Sequence, residues 1–340
     1  MIHWPNRQVK SPTSRTQLIR RFHRESKVSF HCKAALVPLI ALCVFAHCQT
    51  ALDPLADARR AIESGAYADA AASIRSYLAA NPSSADAHFL LGYVLFREQQ
   101  PRESLAEFTA GAKYRRPKAD ELKTVASDYV LLGDYADADK WFSAVTEESP
   151  SDADAWYLLG RAKYSESRYG EAVPSFEHAL RLRPRYIEAE NNLGLSWREL
   201  NEKEKARAAF QNAAEWQGDH PSDPQPLLNL GTLLADEDKL DEALPYLKRA
   251  AMAAPGNPKI HDELAHVYEA QNDLPNAQSE LEKAIAIAPN VSELHFKLGR
   301  IYRREGKRDD SLREFGICDK LNGTHSSVET PNPPSNAPPR

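Results

Sequence analysis

The chain has 340 residues, of which 42% are apolar and 27% charged, and its formal net charge is −5. Residues 1–50 carry eight Lys or Arg and one acidic residue, which leaves 35 basic and 47 acidic side chains in residues 51–340, a net of −12 (35 − 47). Such an acidic body argues against nucleic-acid binding, which depends on neutralising phosphates.

The first 50 residues are predicted to be a signal peptide or an N-terminal anchor. Eight basic residues precede the apolar run Ala34–Ala46, whose 13 residues are too few for a membrane span of roughly 20 residues. The run instead fits the apolar core of a signal peptide, and Ala46-His47-Cys48 offers a cleavage site with small side chains. Retention as an uncleaved anchor and lipidation at Cys48 remain open alternatives.

From residue 51 the sequence repeats with a period of about 34 residues. The fullest copy is found in residues 151–186. Its skeleton is formed by the following residues: Trp156, Leu159, Gly160, Tyr164, Tyr169, Ala172, Phe176, Ala179 and Pro184. Related skeletons are predicted to start near residues 51, 85, 119, 153, 187, 224, 258 and 292. The Pro-rich insertion His220–Pro226 shifts the frame by three residues and is the expected place for a weak joint or a change of superhelical pitch.

The spacing within each copy predicts a pair of amphipathic helices. Apolar residues recur at intervals of three and four, a break follows near Ser167, and Pro184 ends the second helix. A single helix pair cannot bury its own apolar face, so each copy needs neighbours stacked on both sides. A period near 34 residues with this pattern indicates a helical repeat array.

These residues resemble the tetratricopeptide repeat, and the chain resembles a bacterial exported protein of that family. The resemblance implies an all-α, right-handed superhelical solenoid of about eight helix-turn-helix repeats over residues 51–323. Residues 324–340 contain five prolines and several Ser and Asn, a composition that predicts a disordered tail.

The resemblance also implies that the first helices of successive repeats line a groove that takes an extended peptide or a partner helix. Asn side chains can donate to and accept from a peptide backbone, and Arg can pair with its carboxylates. The matching positions are expected at Tyr93, Tyr157, Arg161, Tyr164, Asn191, Asn192, Arg198, Asn229 and Arg300. Two simpler interpretations stay open, namely that the polar groups only meet water and that the aromatic side chains pack between repeats.

No catalytic or metal-binding pattern is found, and no cofactor is expected. His261 and His266 lie five residues apart, which rotates them to different faces of a helix, whereas metal ligation from one face needs a spacing of four. Cys318 is the single cysteine after residue 50, so the body has no disulfide framework or zinc motif. The sequence therefore predicts a protein that is not an enzyme.

The sequence as a whole favours a non-catalytic scaffold for protein–protein interaction, exported to the periplasm or cell envelope. Its expected partner is a protein or peptide, with no nucleic acid, and with membrane contact only through an uncleaved or lipidated N-terminal segment. The alternative function is a membrane-anchored or lipidated assembly factor for an envelope complex.

Overall fold

The computed structural model describes residues 53–219 and 221–326, which form sixteen helices and no strand. The helices with odd numbers open the repeats: α1 (Ala56–Glu63), α3 (Ala85–Arg97), α5 (Ala119–Leu131), α7 (Ala153–Ser165), α9 (Ile187–Glu199), α11 (Gln225–Asp236), α13 (Pro258–Ala270) and α15 (Ser292–Arg304). Those with even numbers close them: α2 (Tyr67–Ala80), α4 (Pro101–Ala112), α6 (Tyr135–Glu148), α8 (Tyr169–Leu182), α10 (Lys203–Trp216), α12 (Leu240–Ala253), α14 (Leu274–Ile287) and α16 (Arg308–Ser326).

Each helix packs mainly against the helices next to it in the chain, so the eight helix pairs stack in sequence order. First helices of neighbouring repeats also approach each other, as α3 with α5, α7 with α9 and α11 with α13, and second helices show no comparable approach. The first helices therefore form the inner layer of the solenoid. The all-α fold of repeated helix pairs predicted from the sequence is confirmed.

The turn inside every repeat has the same left-handed geometry. The residue that follows the first helix by two positions has a positive φ of 59° to 79° in all eight repeats. The amide of the next residue then donates to a carbonyl five residues back, as Arg168 N does to Lys163 O at 3.0 Å. This arrangement is a Schellman motif, which ends a helix and reverses the chain within a few residues. The eight residues are Gly65, Gln99, Gly133, Ser167, Asn201, Asp238, Asn272 and Gly306.

A close approach between the two helices recurs in several repeats, as the fourth repeat illustrates. Gly160 on α7 faces the ring of Phe176 on α8, and a Cβ added at Gly160 would lie 2.6 Å from that ring. Phe176 is fully buried as a result. In this repeat the Leu-Gly pair is therefore a packing requirement, because a Cβ at Gly160 would clash with the Phe176 ring.

Three histidines brace the repeats from equivalent positions on their first helices. In each, Nδ1 lies 2.6–2.7 Å from a glutamate carboxylate of the second helix, and Nε2 lies 2.9–3.0 Å from the carbonyl of a preceding proline. The three are His88, His261 and His295. In the fourth repeat the same position holds Trp156, whose Nε1 donates to Pro150 O at 3.0 Å. The position thus links a helix pair to the turn that precedes it.

One side chain, that of Gln217, holds the two sides of the insertion before α11 together by hydrogen bonds. Gln217 bonds both the amide and the carbonyl of Asp223, at 2.9 and 3.0 Å, and the Asp223 carboxylate accepts from the Gln225 amide at 2.9 Å. Arg249 on α12 donates to Gly218 O at 2.8 Å. The insertion is thus tied to the repeats on both sides of it.

The predicted leader, residues 1–50, lies outside the described residues. Helix α16 extends to Ser326, three residues into the segment predicted to be a disordered tail, and residues 327–340 lie outside the described part. Among the helices of the described part, none has the length and apolar content that a membrane span needs.

Candidate functional site: the inner groove

The inner layer of first helices forms a groove, which contains a depression between the second and third repeats. This depression has a volume of about 440 Å³. Its floor contains Phe89, Leu90 and Tyr93 of α3, and its rim carries charges of both signs, among them Asp86 and Lys123. An apolar floor with a charged rim can hold a large apolar side chain while the rim binds the flanking polar groups.

Ion pairs fix the walls of this depression. Arg115, in the loop after α4, lies 2.7 Å from both the Asp86 and Glu121 carboxylates, and its guanidinium carbon stands 4.6 Å from the Phe89 ring centroid. Lys123 reaches Asp152 of the next repeat at 2.7 Å. The rim charges are therefore held by neighbours from three successive repeats.

Tyr93 stands at the edge of the depression with its hydroxyl oriented by Arg97. The Arg97 guanidinium donates to Tyr93 Oη at 2.9 Å and also lies 4.8 Å from the ring centroid of Tyr67 in the first repeat. The Tyr93 side chain remains partly exposed. Among the predicted groove residues it is the one that lines this depression.

The predicted aromatic residues of the fourth repeat come together on α7. The Tyr157 ring lies 5.0 Å from that of Tyr186 and 6.1 Å from that of Phe176, and Arg161 stands 5.7 Å above its centroid. Burial raises the pKa of the Tyr157 hydroxyl above its usual range. Tyr157 thus serves packing between repeats, as the simpler interpretation proposed, and also presents one edge to the groove.

Tyr164 lies about two turns beyond Tyr157 on α7. Its ring meets that of Tyr169 edge to face at 5.1 Å, and burial raises its pKa as well. Arg161, by contrast, is exposed. Among the described contacts it lies against the Tyr157 ring and pairs with no carboxylate. It is thus available to pair with an acidic ligand.

A second set of bonds fixes the opening of the fourth repeat. Arg183 donates to both carboxylate oxygens of Asp154 at 2.9 and 3.0 Å, and the Tyr186 hydroxyl donates to the same carboxylate at 2.8 Å. The Arg183 hydrogen bonds hold the pKa of Asp154 below its usual value. The charge at this rim position is therefore neutralised within the protein.

The predicted asparagines divide into two structural roles. Asn229 Nδ2 donates to Asn191 Oδ1 at 2.8 Å across the junction of the fifth and sixth repeats, and both side chains are 5% exposed. Gln225 completes the chain by donating to Asn229 Oδ1 at 3.0 Å. Asn192 is bonded within α9, to Glu188 O at 2.7 Å, and is partly exposed. The buried pair joins two repeats, while Asn192 keeps a side open to the groove.

At the far end the groove contains a second depression, of about 390 Å³, between α13 and α15. Arg300 and Arg304 line it and both contact the Glu269 carboxylate, at 2.9 and 3.0 Å. Arg198, on α9, faces Glu199 at 3.3 Å with about a third of each side chain exposed. The Arg198–Glu199 pair is an exposed one and contributes little to stability, so Arg198 can exchange this carboxylate for that of a ligand.

The nine predicted residues therefore form three separate places along the groove. Tyr93 lies at the first depression, the fourth to sixth repeats hold the middle group, and Arg300 lies at the second depression. Sequence reasoning missed the ion pairs of the rim, although a signal for them exists. Arg115–Asp86, Lys123–Asp152 and Arg183–Asp154 are each 29 residues apart, a spacing that a 34-residue repeat brings together.

The comparisons with known proteins agree with this architecture. A family model described as a tetratricopeptide repeat matches residues 55–120, 126–187, 161–224 and 192–258, and a second with the same description matches residues 234–298. The chain belongs to the tetratricopeptide repeat family. The matches extend over seven of the eight helix pairs and reach into α15 of the eighth, so the family covers most of the described residues.

Solved structures of other tetratricopeptide repeat proteins share the fold. The C-terminal part of a repeat-containing protein from Cytophaga hutchinsonii is 15% identical, with a TM-score of 0.57 over 72% of this chain and 99% of that one. Yeast Tom70 is 15% identical, with a TM-score of 0.52 over 75% of this chain and 55% of that one. A structure of the Cut9–Hcn1 hetero-tetramer is 17% identical, with a TM-score of 0.51 over 75% and 52%.

One curated relative has an enzyme name. The mouse protein O-mannosyl-transferase TMTC1 is 28% identical over 164 residues, which are 47% of this chain and 17% of that protein. This tetratricopeptide repeat chain thus spans about a sixth of the relative that it matches. In residues 53–219 and 221–326, His, Cys, Asp and Glu form no group of three or more that could hold a metal ion.

Proposed function

We propose that this tetratricopeptide repeat protein is a non-catalytic scaffold that binds a peptide segment or a partner helix in its inner groove. The depression between the second and third repeats carries the proposal. It combines an apolar floor with oriented polar groups, and its walls are already fixed by ion pairs. A preformed site of this kind binds without the entropic cost of ordering its own walls.

The ligand chemistry follows from the groove. Leu90 and Tyr93, both partly exposed, accept an apolar or aromatic side chain. Arg161, Asn192 and Arg198 offer donors further along an extended segment. Backbone amides and carbonyls of a peptide need both donors and acceptors, which Asn supplies from one side chain. The partner is a protein or peptide, and the acidic body does not favour nucleic acid.

The proposal is tested by selecting short peptides from a display library of the host proteome and measuring their affinity for the full chain by calorimetry. Tyr93→Ala should weaken a selected peptide about tenfold, since it removes one aromatic contact from the floor. Tyr114→Ala is the matched control, because Tyr114 is an exposed tyrosine of the same repeat that does not line the depression. Equal losses in the two variants would show that the peptides bind elsewhere.

The proposed location is the periplasm or cell envelope, and it rests on the basic segment and the apolar run Ala34–Ala46. The alternative, a membrane-anchored or lipidated assembly factor, rests on the same run and on Cys48. N-terminal mass analysis after membrane fractionation separates the two. A free N-terminus near Gln49 or Ala51 excludes both anchors, whereas a lipid mass on Cys48 or an intact leader in the membrane fraction supports the alternative.

A further inference from the structure

The outer end of the eighth repeat exposes apolar side chains that an array normally covers. We call Phe296 of α15 together with Leu312 and Phe315 of α16 the end face. Phe296 is 47% exposed and Leu312 is 60% exposed. The Phe296 and Phe315 rings lie 5.7 Å apart, so the apolar surface is continuous. A terminal repeat usually carries a polar outer side because nothing stacks on it.

The fourth repeat shows what covers the same positions inside the array. Tyr157, Val173 and Phe176 correspond to the end face, and Val173 is 6% and Phe176 0% exposed. They are buried because Leu193 and Trp197 of α9, the first helix of the next repeat, belong to the same apolar cluster. The eighth repeat therefore has the surface of an internal repeat. The occupant that fits it is an amphipathic helix placed like α9.

The charges around the end face indicate which kind of helix would bind there. Residues 300–314 contain six Lys or Arg and four Asp or Glu. Within the described contacts Arg303 touches only the Phe315 ring, at 5.8 Å, and has no carboxylate partner. Two copies joined through this face would bring the same positive charges together, so a second copy of the chain fits less well than an acidic helix.

We propose that the end face binds an amphipathic helix with an acidic flank, contributed by a partner protein, which stacks on α15 and α16 as the first helix of a ninth repeat would. This surface lies at the end of the array, away from both depressions of the groove. Its occupation would lengthen the solenoid and would leave the inner groove open.

The chain itself supplies a probe for this surface. A peptide of residues 186–202 contains α9, whose Leu193 and Trp197 cover the equivalent face, and it carries four glutamates and one arginine. We expect saturable binding of the fluorescently labelled peptide to the full chain by anisotropy, weakened by added salt. Leu312→Lys should reduce the affinity at least about tenfold. Met252→Lys is the matched control, because Met252 is 83% exposed on α12, outside the end face.

Since Leu312 is already largely exposed, Leu312→Lys should leave the melting temperature unchanged, which separates lost binding from lost folding. The proposal would be overturned if the peptide showed no saturable binding at millimolar concentration. It would also be overturned if the Leu312→Lys and Met252→Lys variants bound the peptide equally well. A concentration-dependent dimer in sedimentation that Leu312→Lys abolishes would assign the face to a second copy. Markedly tighter peptide binding by a chain ending at residue 326 would assign it to the chain's own tail.

Discussion

Asp128 occupies a core position on α5 and should make the stability of the third repeat depend on pH. It is fully buried, and the equivalent residues of other repeats include Val94, Leu233 and Ile301. Its Oδ2 lies 2.6 Å from Ser104 Oγ, which also lies 2.8 Å from Gly92 O. A hydroxyl has one proton and a carbonyl can only accept. When Ser104 donates to Gly92, the carboxyl must therefore supply the proton of the shorter contact.

The magnitude follows from the pKa. Burial raises the pKa of Asp128 from 3.8 to about 7, against the opposing effect of the Ser104 hydrogen bond. Below pH 3.8 both the folded and the unfolded chain hold the proton. As the pH rises to about 7 the unfolded chain loses it and the folded chain keeps it, so stability falls by about 1.4 kcal/mol per pH unit. The loss reaches at most about 4 kcal/mol near pH 7 and stays constant above it.

Asp128→Asn removes this dependence, because the amide does not titrate and its Nδ2 can donate to Ser104 Oγ. We expect the variant to unfold at higher urea than the wild type at about pH 8, and the two to converge towards about pH 4.5. Amide hydrogen exchange should show the gain in stability in α4 and α5. This second measurement is needed because a repeat array need not unfold in one step. Asp120→Asn is the control on the same helix, since the Asp120 side chain is 92% exposed. Parallel pH profiles for wild type and Asp128→Asn would refute the proton assignment.

Three further substitutions test the framework by thermal and urea unfolding. Gly160→Ala should destabilise by about 1–3 kcal/mol, because its Cβ would lie 2.6 Å from the Phe176 ring, whereas Gly170→Ala meets no atom within 4 Å and should be harmless. Gln99→Gly should stabilise by about 1 kcal/mol, since Gln99 has a φ of 59°, and a loss of stability would contradict the turn geometry. Asn229→Ala should cost about 1–3 kcal/mol by leaving its buried asparagine partner unsatisfied, and a neutral result would contradict that bond.

The helix pairs were predictable because the repeat is a local pattern. Each helix pair lies within 34 consecutive residues. The recurring Gly and Phe, as at Gly160 and Phe176, predict that the two helices of a repeat pack closely against each other. The turn residue was less evident. Its left-handed geometry is common to all eight repeats, but only three of them place Gly there, so residues such as Gln99 and Ser167 give no sign of it when read alone. Aligning the repeats by position would have found it.

The groove was harder to predict because it depends on contacts between repeats. Asn191 and Asn229 are 38 residues apart, and the insertion before α11 displaces them from the 34-residue frame. Their bond therefore does not follow from the period. Asp128 differs, because the repeat frame does predict its burial: the equivalent positions of other repeats hold Val94, Leu233 and Ile301. Its charge hides this when α5 is read alone.

The predicted groove residues differ in what remains available to a ligand once internal contacts are satisfied. The buried amide pair bonds to itself and to Gln225, so it fixes the angle between two repeats. Tyr157 likewise packs against Tyr186. Arg161 lacks a carboxylate partner among the described contacts, and Tyr93 borders an open depression. Specificity in such an array therefore has to come from the few inner side chains that the stacking of repeats does not consume. In this protein those are Tyr93 in the second repeat, Arg161 in the fourth, and Asn192 and Arg198 in the fifth.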